Sequence, residues 1–378
     1  MTNHHGIRSV FLHWIALFLC VVTLILPARN TLAAEPGATT DPEAKASMPA
    51  DKGLPVNVRV GLMFVHIESF DDNKETFEAT TDLRLSWEDP RLRFPAKEAL
   101  HGYKEFRLSK ADAQAANMWI PNIRFVNRKG ESSLTERLIR IFPDGRIVQI
   151  LRTTATYQTP VDVSKFPFDH QVLAVEVAVA EETIETVDFD FSHEDVSFSR
   201  AGPDAKIDGW NLGLVNLRRG LLHGWNGDRM AQVTASLEVQ RQASSTISIV
   251  FIPLFASLLI PFLATWLNTA EDGDFAVEAF ELGNIVIGGL FAVIALSFSI
   301  SSSYPLIMTS DNAVTRLIGL NYVALAVGVI IAVAFYRYKL PARWFGPCVQ
   351  DELFKYLTWA FPFLFICTGV AFVLLAMV

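Results

Sequence analysis

Hydrophobic and polar positions change rhythm twice along this chain. From Pro55 the rhythm has period two. Val56, Val58, Val60, Leu62 and Phe64 alternate with Asn57, Arg59, Gly61 and Met63, and Phe77, Ala79, Thr81, Leu83, Leu85 and Trp87 alternate with Glu78, Thr80, Asp82, Arg84 and Ser86. Such alternation predicts half-buried strands. Asp71–Glu75 reads as the tight turn between these two strands. More strands are predicted over Arg137–Phe142, Arg146–Tyr157, Val172–Val179, Trp210–Leu217 and Met230–Gln240. No long helical period occurs before residue 243, so residues 55–242 are expected to form an all-β, immunoglobulin-like sandwich. Beyond that point the alternation gives way to continuous apolar runs at about 246–267, 282–302, 313–336 and 353–377. Each is near the ~20 residues that a helix needs to cross a bilayer. Residues 243–378 are therefore expected to form an all-α domain of four transmembrane helices.

The start of the chain has a third character. Arg8 followed by the apolar run Val10–Leu26 and by Thr31-Leu32-Ala33-Ala34 reads as a secretory signal over 1–34, of bacterial style. Residues 35–54, with Pro36, Pro42 and Pro49, read as a flexible polar linker. Four spans return the C-terminus to the side of the sandwich. Arg337, Lys339, Arg343 and Lys355 put the third connection in the cytoplasm. The sandwich and C-terminus are then periplasmic or extracellular, and the protein is a multi-pass protein of the bacterial inner membrane. The first connection, with Glu271, Asp272, Asp274 and Glu278, is acidic and does not bear on orientation.

Composition adds exclusions. The net charge of −8 gives no reason to expect nucleic-acid binding. The three cysteines, Cys20, Cys348 and Cys367, avoid the predicted sandwich, so it is not a disulfide scaffold. The histidines show no metal-ligand spacing, and there is no nucleophile motif, zinc motif or phosphate loop, so neither an enzyme nor a cofactor is expected.

Five motifs, in order, carry a resemblance. They are Trp87-Glu88-Asp89-Pro90-Arg91-Leu92, Trp119-Ile120-Pro121-Asn122, Asp144-Gly145, Phe166-Pro167-Phe168-Asp169-His170-Gln171, and Arg241 with Pro253 twelve residues on. Together with four apolar runs, they resemble the pentameric ligand-gated ion channel family, the Cys-loop receptor superfamily. The chain departs from the animal receptors where their two loop cysteines would fall, at Thr159 and Leu173, and this is similar to the prokaryotic branch. The third connection, about Tyr338–Glu352, is too short for the large cytoplasmic domain of animal receptors.

The resemblance implies a homopentamer whose second membrane helix lines a pore. Phe280–Pro305 fits that use, because a lone lipid-facing helix does not need Asn284, Gly288, Gly289, Ser297, Ser299 and Ser301–Ser303. Counting back from Pro305, the family register puts Glu281, Asn284, Gly288, Phe291, Ala295, Phe298 and Ser302 on the pore. Helical spacing alone leaves open the neighbouring stripe Ile285, Gly289, Ala292, Leu296, Ser299 and Ser303. In the first register five Glu281 side chains form an acidic ring selecting monovalent cations, and Phe291 and Phe298 form apolar rings. By the same resemblance Asp169, Arg241 and Asp71 or Asp72 meet at the junction of the domains, beside Pro305. The agonist site lies between neighbouring sandwiches. Its aromatic-box positions fall near Val126, Ala180 and Asp82, none aromatic. That leaves Trp225, His223, Glu181 and Glu182, with Arg152 on the opposing strand, to take a small cation, calcium as a modulator, or a proton. The alternative function is a membrane-anchored periplasmic solute sensor that does not conduct.

Overall fold

The computed structural model describes residues 46–50, 53–99, 101–271, 274–277 and 279–377. All of them fall within one compact unit, Pro42–Val378. The expected signal segment, most of the expected linker, Asp272 and Glu278 lie outside the described residues.

Ten strands build two sheets. They are β1 (Val56–Asp71), β2 (Thr76–Glu88), β3 (Lys104–Arg107), β4 (Ile123–Phe125), β5 (Arg128–Ile141), β6 (Arg146–Gln158), β7 (His170–Val179), β8 (Val187–Asp190), β9 (Trp210–His223) and β10 (Arg229–Arg241). The first sheet runs β3-β5-β6-β2-β1-β8 and the second β4-β7-β10-β9. The period-two pattern is the cause. Val58, Val60, Leu62, Phe64, Ala79, Leu83, Leu85 and Trp87 point inward with Leu173, Val175, Val177, Ala235 and Leu237 from the facing sheet, forming one core. Packing the two sheets face to face buries both apolar faces at once.

The motifs brace this core. Asp89 caps the turn after β2, accepting from Arg91 N at 3.0 Å, and its carboxylate is gripped by the Arg91 fork at 2.9 and 2.8 Å. Gly145 closes the β5–β6 hairpin at φ +86°, and a Cβ there would lie 2.7 Å from the Asp89 carbonyl oxygen. The turn therefore needs a residue with no side chain.

Four helices among the described residues are long and apolar enough to cross a membrane, over Ile247–Trp266, Phe280–Ser303, Ala313–Arg337 and Pro347–Met377. The β domain carries the short helices α1 (Ser109–Ala115) and α2 (His193–Phe198). The membrane helices are α3 (Ile252–Trp266), α4 (Ala279–Ser303), α5 (Ala313–Ile331) and α6 (Pro347–Met377). α6 starts earlier than the expected 353, because its first turns hold Gln350, Asp351, Glu352 and Lys355. Helical hydrogen bonding continues there beyond the apolar run. One polar network pins the bundle. Ser257 Oγ donates to Asn321 Oδ1 (2.7 Å), and Asn321 Nδ2 donates to the carbonyls of Leu254 (3.2 Å) and Leu317 (2.9 Å). The network is buried and satisfied, which polar groups at membrane depth require.

Candidate pore and coupling site

Strand β10 ends in Arg241 immediately before the first membrane-spanning run, so the side chain is delivered to the boundary between sandwich and helices. Its Nε donates to Asp169 Oδ1 at 2.7 Å, and its Nη2 donates to Asp169 Oδ2 at 3.1 Å and to Asp72 Oδ2 at 3.0 Å. The guanidinium carbon sits 4.2 Å from the Trp210 ring centre and 5.0 Å from that of Phe166. Burial disfavours the Arg241 charge. The bonds and attraction from Asp169, reinforced by Asp72, outweigh it and hold the group above its ordinary pKa. This is the fork-on-carboxylate geometry with stacking that only arginine offers.

Asp169 is 1% exposed, and its own loop holds it in place. Gln171 Nε2 donates to Asp169 Oδ2 (2.7 Å) and to the Asp162 carbonyl (2.6 Å), while Gln171 Oε1 accepts from Asp162 N (3.0 Å). Thr159 Oγ1 closes the loop by donating to the Val172 carbonyl at 2.6 Å, with no cysteine involved. The loop's apolar residues leave the sandwich altogether. Val163 and Phe166 are buried in a cluster with Val250, Phe251, Leu254, Ile300, Ile307 and Val314, against the tops of the helices. Burying one phenylalanine this way contributes ~2–3 kcal/mol.

The two candidate acids of the β1–β2 turn separate. Asp72 joins Arg241, whereas Asp71 pairs with Lys74 (Nζ–Oδ2 2.7 Å), which holds the Asp71 carboxyl below the ordinary range. Asn73 Oδ1 accepts from Leu306 N at 3.4 Å, linking this turn to Pro305–Thr309, the helical turn after α4. Tyr304 lies 6.2 Å from Phe166, ring centre to ring centre. Phe166, Trp210, Gln171 and Asn73 were not among the expected site residues. Phe166 and Gln171 do lie in the quoted Phe166–Gln171 motif, but nothing in the sequence singles out Trp210 or Asn73.

On α4, Leu282, Val286, Gly289, Val293 and Ile300 are buried. A Cβ at Gly289 would lie 2.8 Å from Ile260 and 2.9 Å from Leu325, so α4 sits tightly on α3 and α5 at this point. Glu281, Asn284, Gly288, Phe291, Ala295, Phe298 and Ser302 are all exposed. At 100° per residue they lie about 180° from the buried stripe. A Cβ at Gly288 would meet nothing within 4 Å. The neighbouring stripe is mixed, with Gly289 buried and Ile285 and Leu296 half-buried.

The remaining expected residues divide between the sheets. Val126 follows β4 and Ala180, Glu181 and Glu182 follow β7, and these strands pair at Ile123 with Val179. The β9–β10 tip, with His223 and a fully exposed Trp225, lies toward the same end. Ile184 N donates to the Arg229 carbonyl there at 2.8 Å. Arg152 is on β6 in the other sheet, and its fork is held by Asp82 through two bonds of 2.7 Å. Both line a cavity of about 430 Å³ that also holds Arg107, Glu136 and Arg137.

Residues 42–243, more than half of the chain, match the neurotransmitter-gated ion-channel ligand binding domain. A proton-gated ion channel from Gloeobacter violaceus is 26% identical over 293 residues, covering 76% of this chain and 76% of that relative. The gamma-aminobutyric acid receptor subunit pi of Rattus norvegicus and that of Mus musculus are each 30% identical over 171 residues, 44% of this chain and 34% of theirs.

Proposed function

This chain belongs to the pentameric ligand-gated ion channel family, and from that premise we propose that five identical copies close around a cation-selective pore lined by α4. The observation that carries the reading is the exposed stripe of α4. It gathers an acid, small polar residues and two phenylalanines on the face turned away from the chain's own bundle. One chain supplies one such helix, and cyclic symmetry brings five together without leaving an open edge.

Five Glu281 carboxylates then ring the cytoplasmic mouth. Two carboxylates ~10 Å apart repel by about 0.4 kcal/mol in water and about 1.7 at an effective dielectric of 20. A cation relieves that repulsion and an anion adds to it. Phe291 and Phe298, 66% and 76% exposed in the single chain, form rings that stop ions by dewetting when narrow. The Arg241–Asp169–Asp72 cluster couples sandwich to pore, because it ties β10, the β6–β7 loop and the β1–β2 turn together directly above Pro305. An agonist opens the pore by binding the open state more tightly than the shut one.

The agonist is a proton or a small cation. Glu181, Glu182, His223 and Trp225 of one copy would face Arg152 and Asp82 of the next, with calcium competing for the same acids. The relative's proton gating supports the first agonist class, and the fully exposed face of Trp225, on which a small cation can stack, supports the second. The protein then resides in the bacterial inner membrane with its C-terminus outside the cytoplasm. The test is a bilayer recording of the purified protein across pH and with small amines, reading the reversal potential in a salt gradient. A current reversing near the cation potential, and displaced by Glu281→Gln, is expected. A reversal potential unmoved by Glu281→Gln would remove Glu281 from selectivity. Silence in every condition would favour a non-conducting solute sensor.

A further inference from the structure

A separate cavity of about 440 Å³ opens where β1 begins and β2 ends, within the ~300–1,000 Å³ span of small-ligand sites. Its polar wall is set by strand order. Across β6-β2-β1-β8 the register places Arg146 opposite Glu88, Ser86 opposite Arg59, and Arg59 beside Asp190. Asn57 completes this wall.

Two half-buried guanidiniums here have no carboxylate partner among the described residues. Arg59 donates only to Ser86 Oγ, at 3.3 Å, and Arg146 lies with its guanidinium 4.0 Å from the Phe142 ring centre. Two half-buried forks without a carboxylate on one face of the sheet are a costly arrangement that needs an explanation. The acids of the wall do not supply one. Asp190 lies toward Arg219 (3.4 Å), and among the described residues no ion pair joins Glu88 to Arg59 or Arg146.

We infer that this cavity binds a small monocarboxylate, held by the forks of Arg59 and Arg146 with Ser86 and Asn57 at its rim. A carboxylate suits planar forks. A single negative charge suits a wall that also carries Glu88 and Asp190, which would repel a second one. The ligand would tie the segment before β1 to the ends of β2 and β6, stabilising this part of the sandwich by mass action. The site is distinct from the cavity at Asp82 and Arg152 and does not depend on conduction.

The test is thermal unfolding of the full chain in detergent with sodium propionate, its neutral isostere propionamide, or sodium chloride at matched ionic strength. Propionate is expected to raise the midpoint saturably, and the other two to leave it unmoved. Arg59→Gln and Arg146→Gln should each weaken the apparent affinity at least tenfold, while Arg124→Gln, on exposed β4, should not change it. Succinate should bind more weakly than propionate. A propionate effect equal to that of chloride or propionamide, or one retained in both arginine variants, would overturn the inference, as would tighter binding of succinate. If Arg59→Gln does not fold, Arg146→Gln decides, since its side chain lies on the far strand and stacks on Phe142.

Discussion

Strand β10 runs from one kind of site to another. At its last residue, Arg241 has two carboxylates, two aromatic faces and a buried loop around it. At its first residues, Arg229 meets Glu185 at 3.3 Å in an exposed pair, and nearby Trp225 stands fully in solvent. The membrane end is complete within one chain, so it can hold sandwich and helices as a unit. The hairpin end leaves Trp225 uncovered within one chain, where the proposed ligand and neighbouring copy would meet it. Whether side chains already have their partners thus separates the end proposed to transmit from the end proposed to receive.

The comparison breaks most visibly at Arg241. Arg241→Ala leaves Asp169 buried, charged and without its main partner, a change that costs ~3–5 kcal/mol. Loss of folded, assembled protein in size-exclusion and thermal unfolding is the expected result. Arg241→Lys keeps the charge but not the fork, and should fall between wild type and alanine. Stability within about 0.5 kcal/mol of wild type for Arg241→Ala, the size of a surface substitution, would mean that the membrane end is held no more firmly than the hairpin tip.

The same contrast recurs inside α4, on adjacent residues. Gly289→Ala adds a methyl 2.8 Å from Ile260 and 2.9 Å from Leu325, which should cost ~1–3 kcal/mol through displaced packing. Gly288→Ala adds one in open space and should be neutral or gain up to ~1 kcal/mol from helix propensity. Thermal midpoints of the two variants compare them directly. Equal penalties would mean that both glycines are packed and that the exposed stripe is not free to line a pore.

How much of this was legible follows from what each signal can carry. Period-two alternation reports which face is buried, so β1, β2 and β6 could be read from the sequence. The same signal says little about β8, four residues that pair in parallel with the start of β1, or about the register shifts near His66 and Ser69. Hydropathy reports the apolar length of a helix and not its hydrogen bonds, which is why α6 begins at Pro347 ahead of its apolar run. At the coupling site, Arg241 and Asp169 are 72 residues apart, and no periodicity links them. Only the family resemblance pairs them ahead of the structure. The choice of Asp72 over Asp71 depends on side-chain direction within one turn, and the stacking of Trp210 under Arg241 depends on two strands meeting. Neither leaves a trace in sequence spacing.

Smaller effects sharpen the contrast. Asp71, paired with the exposed Lys74, is the more open neighbour of Asp72, and both acids are half-buried. The Asp71 carboxyl titrates below the unfolded value, so the pair stabilises above about pH 4 and that contribution disappears as pH falls through the lowered value. An exposed pair of this kind contributes at most ~1 kcal/mol. Asp71→Asn should therefore change the thermal midpoint at pH 7 far less than Asp72→Asn, and the reverse order would assign the coupling acid to Asp71.

The smallest effect on stability is expected at Trp225, and it tests the hairpin end directly. A side chain that stands in solvent among the described residues should be replaceable by alanine within about 0.5 kcal/mol. Thermal unfolding of Trp225→Ala should then overlay wild type, while a current response to a small amine, if Trp225 receives it, should shift to higher concentration. An early unfolding midpoint for Trp225→Ala would show that the assembled protein already covers this tryptophan. The hairpin tip would then be a structural contact between copies, and the receiving end of β10 would be held as firmly as its transmitting end.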